Sequence, residues 1–153
     1  MKTKPINFGV STTLCFALLL FATTVGAKND LNLEDYKGRV VYLDFWASWC
    51  IPCEKSFPFM NRLKAQFEDQ GLTVIAVSVD SSREKAEQFL VRHPADFKIL
   101  WDGDGALSEH YQLQGLPNSF LFDRDGTLVG SHLGFKKQDE KALSSEIQSL
   151  LEK

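Results

Sequence analysis

Two cysteines three residues apart, Cys50 and Cys53, stand where an apolar run gives way to a helical one. Val40-Val41-Tyr42-Leu43-Asp44-Phe45 is apolar, aromatic and β-branched, the pattern of a buried strand. After the second cysteine, Phe59, Met60, Leu63 and Phe67 recur at helical spacing, which predicts a helix from Cys50 to about Gln70 with Gly71 as its stop. Cys50 then falls at a helix N-terminus, where unpaired N–H groups and the positive end of the dipole favour a thiolate. Pro52 suits a first turn, because the N–H it lacks would have had no partner there. Such a cysteine pair can close a small disulfide ring or open to a dithiol.

The chain has 153 residues, enough for one domain. Residues 1–27 read as a secretory leader: Lys2 and Lys4, an apolar stretch around Leu14 to Val25, then Val25-Gly26-Ala27 as a cleavage site. The alternative is a retained anchor, but the stretch is shorter than the ~20 residues that span a bilayer. Cys15 lies inside the leader and is expected to leave with it. Residues 28–153 would form the mature domain, in a periplasmic or otherwise extracytoplasmic setting. Losing Lys2 and Lys4 from 17 basic residues leaves 15 against 20 acidic ones, a net charge of −5. An acidic domain without a basic run argues against nucleic acid or an anionic membrane as partner. With 12 Phe and 3 Trp the chain can build a core without a bracing disulfide, so its remaining cysteine pair is free for chemistry or a ligand.

Asn32 to Gly38 is a short polar lead-in. Beyond the first helix, which Pro58 should kink, Leu72 to Val79 reads as a central strand. Ser81-Ser82-Arg83-Glu84 has capping-box spacing and opens a helix to about Arg92, ended by His93-Pro94. Phe97 to Trp101 is a further strand and Ala106 to Leu113 a short helix. Asn118–Asp123 and Thr127–Leu133 form a hairpin around the Asp125-Gly126 turn signal. Asp139 to Leu151 is amphipathic, with Leu143, Ile147, Leu150 and Leu151 on its apolar face. Asp102-Gly103-Asp104-Gly105 resembles a calcium loop only superficially, lacking the further ligands and closing Glu.

The segment Asp44-Phe45-Trp46-Ala47-Ser48-Trp49-Cys50-Ile51-Pro52-Cys53 resembles the active-site segment of thioredoxins, and the wider pattern is most similar to the TlpA/ResA-type extracytoplasmic thiol-disulfide reductases. The resemblance runs from about Tyr36 onward and continues through Gly115-Leu116-Pro117-Asn118-Ser119-Phe120-Leu121-Phe122-Asp123, Asp125-Gly126 and Gly134. It implies an α/β thioredoxin fold, a mixed sheet flanked by helices, with a central helix–strand insertion at about Ser82 to Trp101. Three departures stand out. The longer N-terminal hairpin usual in this family is mostly missing. The Lys that faces the buried acid in thioredoxins is replaced by Ala76, and Ser56 stands where a Glu often follows the second cysteine.

Disulfide exchange needs an attacking thiolate, a resolving thiol and a group that moves protons. Cys50, at the helix start, is the candidate nucleophile and Cys53, one turn in, the resolving thiol. Asp44 is the odd residue of its strand; burial should raise its pKa and suit it to take the Cys53 proton. The resemblance points to the same role, against a purely structural one. It further implies a cis Pro117 lying against the disulfide, with Leu116 offering its backbone to an extended substrate. Trp49 either covers one side of the disulfide or packs in the core; Trp46, Phe45 and Phe57 read as core.

An inert structural bridge is the competing reading of the pair. Haem attachment fails because Glu54, not His, follows Cys53. A zinc site would need two more ligands, and His93, His110 and His132 lack metal-site spacing. The expectation is a monomeric protein-disulfide reductase without metal or organic cofactor. By resemblance, a membrane thiol-reducing protein would supply electrons and apocytochrome c or another disulfide-bearing client would receive them. An oxidase or isomerase on the same fold is a second reading. A copper-binding assembly factor is a third, although such factors carry three residues between their cysteines and a nearby His.

Overall fold

The computed structural model describes residue 1 and residues 31–153; the rest of the expected leader, with Cys15 and the cleavage site at Ala27, lies outside the described residues. Five strands form one mixed sheet in the order β3-β2-β1-β4-β5. β1 (Val40–Trp46) and β2 (Leu72–Ser78) occupy central positions, and the sheet-facing run of apolar residues that predicted them is buried almost without a break. β2 and β3 (Lys98–Trp101) run parallel to β1, whereas β4 (Asn118–Phe122) and β5 (Leu128–Leu133) form an antiparallel hairpin beside it. This is the mixed, helix-flanked sheet that the resemblance implied, with a helix–strand unit between β2 and the hairpin.

α1 (Ile51–Phe67) and α4 (Glu140–Leu151) cover one face, on which Val40, Tyr42, Trp46 and Leu121 join Phe59, Met60, Leu63, Leu143 and Ile147. Val41, Leu43, Phe45 and Phe120 point to the other face, as alternation along a strand requires. α2 (Arg83–Arg92) contributes Phe89 to an aromatic cluster with Trp46 and Phe57, whose ring centroids lie 4.7–5.0 Å apart. Each large side chain fully buried in this way contributes roughly 1.5–3 kcal/mol through burial alone. The inserted unit is therefore welded to the strand and helix that carry the cysteines.

Several local expectations are corrected. The capping box at Ser81 to Glu84 does not form: Ser82 is the N-cap, and its hydroxyl bonds the Glu84 carboxylate instead of the helix backbone. α3 (Ala106–His110) stops short of Leu113 because Gln112 turns to a positive φ of 50°, which no right-handed helix accommodates. Pro58 lies inside α1, and a 3-10 turn, Glu68–Gln70, follows the helix before Gly71, the expected stop. Glycine is favoured there by its φ of 107°, and the Arg124 guanidinium packs close over it, 2.7 Å from where a Cβ would stand. The lead-in holds a 3-10 turn, Leu33–Tyr36, capped by Asn32, and another 3-10 turn, Lys137–Asp139, precedes α4. Asp102, in the turn that resembles a calcium loop only superficially, caps α3: its carboxylate accepts from the Leu107 N–H at 2.9 Å and the Ser108 N–H at 2.8 Å. Among the described residues no helix is long and apolar enough to cross a membrane.

Candidate active site

Strand β1 ends at Trp46, and after four intervening residues the chain enters α1. Cys50 is the N-cap, with extended backbone, and Pro52 occupies the first turn. The Cys53 N–H, in the first turn of the helix, donates to the Cys50 carbonyl at 3.0 Å and to the Cys50 sulfur at 3.3 Å. Cys50 and Cys53 are joined in a disulfide, with an S–S distance of 2.01 Å. Cys50 retains 4% exposure and Cys53 none, so the sulfur of Cys50 lies on the outer side of the ring. Trp49 and Ile51 flank it at 69% and 68% exposure. Trp49 is therefore not a core residue, whereas Trp46, Phe45 and Phe57 are fully buried.

The hairpin delivers the second side of the site. Asn118, the first residue of β4, pairs with Phe45, so Pro117 lies level with the end of β1 from which the motif departs. Leu116–Pro117 is a cis peptide. The Pro117 carbonyl accepts from the Gly134 N–H at 2.7 Å, which ties the segment to the end of β5. Pro117 is buried and Leu116 half-buried, leaving Leu116 the more accessible of the two.

Asp44 sits on β1 on the face that α1 covers, together with Cys53. It is 1% exposed, and its Oδ2 has no hydrogen-bond partner. Burial pushes its carboxyl well above the usual carboxylate range, because a charge is poorly solvated there. The strand register places Ala76 beside it, so β2 supplies no cation at that position. Ser56 is buried on α1, and its hydroxyl donates to the Cys53 carbonyl at 3.0 Å, a helix-internal bond that leaves it no acid–base task. His93, His110 and His132 lie on the end of α2, on α3 and on β5, and no cluster of three metal-ligating side chains forms among the described residues.

The sequence reading passed over a second buried aspartate. Asp80 follows β2 and is 2% exposed. Its carboxylate accepts from the Ser48 N–H at 2.8 Å, the Ser48 hydroxyl at 2.8 Å and the Ser78 hydroxyl at 3.0 Å. The Trp101 indole N–H bonds the Asp80 carbonyl at 2.8 Å, so the end of β3 fixes the same corner. Asp80 thus pins the loop that leads into Cys50. The only sequence signal was an acid at the end of an apolar run.

Comparisons with known proteins agree with this geometry. A family model described as Redoxin matches residues 17–147. The thiol-disulfide oxidoreductase ResA of Bacillus thuringiensis subsp. konkukian is 33% identical over 120 residues, covering 78% of this chain and 69% of that protein. A solved structure from Chlorobium tepidum, assigned as a thiol:disulfide interchange protein DsbE, superposes with a TM-score of 0.77 at 43% identity, covering 79% of this chain and 86% of that one. The exposed lipoprotein thioredoxin of Streptococcus pneumoniae superposes with a TM-score of 0.68 at 30% identity, covering 77% of this chain and 90% of that one.

Proposed function

The chain belongs to the Redoxin family, as a thiol-disulfide oxidoreductase of the ResA type, and from that premise we propose that it reduces disulfides of client proteins outside the cytoplasm. The observation that carries the reading is the Cys50–Cys53 disulfide at the start of α1, its outer sulfur ringed by exposed Trp49 and Ile51. In the dithiol form, Cys50 attacks as a thiolate, favoured by the helix terminus. A mixed disulfide between Cys50 and the client forms, and the first client thiolate leaves. Asp44 then takes the Cys53 proton, the Cys53 sulfur attacks that of Cys50, and the second client thiolate leaves. Trp49 and Leu116 contact the client, and Pro117 backs the pair.

The apolar, lysine-flagged stretch over residues 1–27 supports export. The related pneumococcal protein is itself named an exposed lipoprotein. A membrane thiol-reducing protein would restore the dithiol, and apocytochrome c is the client class that the family suggests.

One experiment tests both roles and direction. Cys53→Ser should accumulate client mixed disulfides through Cys50, visible on non-reducing gels and by mass spectrometry, whereas Cys50→Ser should trap few. Equal trapping by the two variants overturns the assignment. Equilibration of the same pair in defined thiol buffers should give a potential nearer thioredoxin's ~−270 mV than the ~−120 mV of a strong oxidant. A value near the latter would make the protein an oxidase.

A further inference from the structure

Asp44 is buried, so any proton it takes from Cys53 needs a way out before the next cycle. The sheet supplies a row of polar side chains that leads from it to the surface. On β4, Ser119 pairs directly with Asp44; on β5, His132 pairs directly with Ser119. Directly paired residues project to the same face, so all three lie under α1 and α4. Strands stand about 4.8 Å apart, and Asp44 and His132 are two spacings, about 10 Å, from each other. Exposure rises along the row, from 1% at Asp44 through 4% at Ser119 to 35% for the His132 side chain.

Neighbouring groups hold the row in place. The Tyr42 hydroxyl donates to Ser119 Oγ at 3.0 Å, which leaves the Ser119 hydrogen uncommitted. His132 Nε2 lies 2.9 Å from Glu146 Oε2 on α4. The Glu146 carboxylate also lies over Gly130, where any Cβ would stand 2.7 Å from Oε1. Glycine at that point is what lets the carboxylate come down beside the histidine. The titratable groups facing the row are thus Tyr42 on β1, Glu146 on α4 and the cysteine pair on α1.

Resting on the reading of Asp44 as the proton acceptor, we infer that Ser119 and His132 form the route by which Asp44 exchanges protons with solvent. As the Cys50–Cys53 bond forms, the Cys50–client bond breaks and its electron pair leaves on the client thiolate. The Cys53 proton rests on the Asp44 carboxyl. Ser119 Oγ then takes that proton while its own hydroxyl hydrogen passes to the His132 ring, and the imidazole releases a proton to water or buffer. The client thiolate draws an equivalent proton from solvent, so charge balances over the cycle. Imidazole suits the outer position because it has two ring nitrogens, one able to accept a proton while the other gives one up. Tyr42 and Glu146 are positioning residues: one orients the serine hydroxyl and the other the imidazole.

The test follows the infrared carboxyl band of Asp44, identified by its loss in Asp44→Asn, after a pH jump in dilute buffer. His132→Ala should slow its rise and decay by about a hundredfold, the modest end of positioned proton transfer. Added imidazole should restore the rate, which no merely structural defect would allow. Ser119→Ala should be slowed as well, without rescue by imidazole. Wild-type band kinetics in both variants, or a loss that imidazole leaves unchanged, overturns the relay while leaving Asp44 as acceptor. Turnover of Asp44→Asn separates the two ideas: full turnover there removes Asp44 from the mechanism, and the relay with it.

Discussion

Two aspartates are buried to nearly the same extent within reach of one motif, and they are treated in opposite ways. Asp80 is 2% exposed and receives three hydrogen bonds, two of them from Ser48. Asp44 is 1% exposed and has an oxygen with no partner at all. A buried carboxylate surrounded by donors is a brace, because its charge is solvated by the groups it organises. A buried carboxylate without donors is held at a cost, and such groups cluster where a proton must be handled. Equal burial, then, says little about role; the hydrogen-bond inventory separates architecture from chemistry.

The largest effect expected from breaking this contrast falls on the brace. Asp80→Ala strands the Ser48 N–H and two hydroxyls, and each buried donor left unpaired costs about 1–3 kcal/mol. We expect a loss of about 3 kcal/mol in denaturant unfolding, with slower disulfide exchange because the loop before Cys50 loosens. Unchanged stability would show that the Ser48 loop is held by other means.

The opposite sign is expected at Asp44. Its folded-state pKa lies above the unfolded value of ~3.9, so stability falls as pH rises from that value toward the folded one. The burden grows by about 1.4 kcal/mol for each pH unit in that window and is constant above it. Asp44→Asn should therefore raise the denaturant midpoint at pH 8 while changing it little near pH 4. The same variant should slow resolution of mixed disulfides. A variant less stable than wild type at pH 8 would place Asp44 with Asp80 as a structural group.

The smallest stability effect belongs to Trp49, which is exposed and braces nothing buried. Trp49→Ala should stay within about 0.5 kcal/mol of wild type, as exposed substitutions usually do. Its effect should instead be a raised KM for protein clients in reductase assays. A stability loss of several kcal/mol would mean that the indole packs on the site as part of the core.

Much of this arrangement was legible in the chain itself. The strand before Cys50, the helix after it and the odd acid at Asp44 are local patterns, governed by periodicities of two and 3.6 residues. The capping box at Ser81 was not, because Ser82 and Glu84 bond each other and the backbone is left to cap itself. Asp80 escaped notice for a different reason. Its partner Ser48 lies 32 residues away, and no local pattern reports a contact made only when β1 and β2 end side by side.

The sequence by itself determined the cysteine spacing, the helix that begins at it, the acid buried behind it and the order of strands and helices. These follow from side-chain chemistry and local backbone preference. Only the tertiary structure decided which polar groups meet, Asp80 with Ser48 and Tyr42 with Ser119, and which residues pair across the strands from Asp44 through Ser119 to His132. Strand register sets those meetings, and register depends on how whole faces bury against α1 and α4. A slip of one residue would turn Asp44 away from the cysteines and break the row.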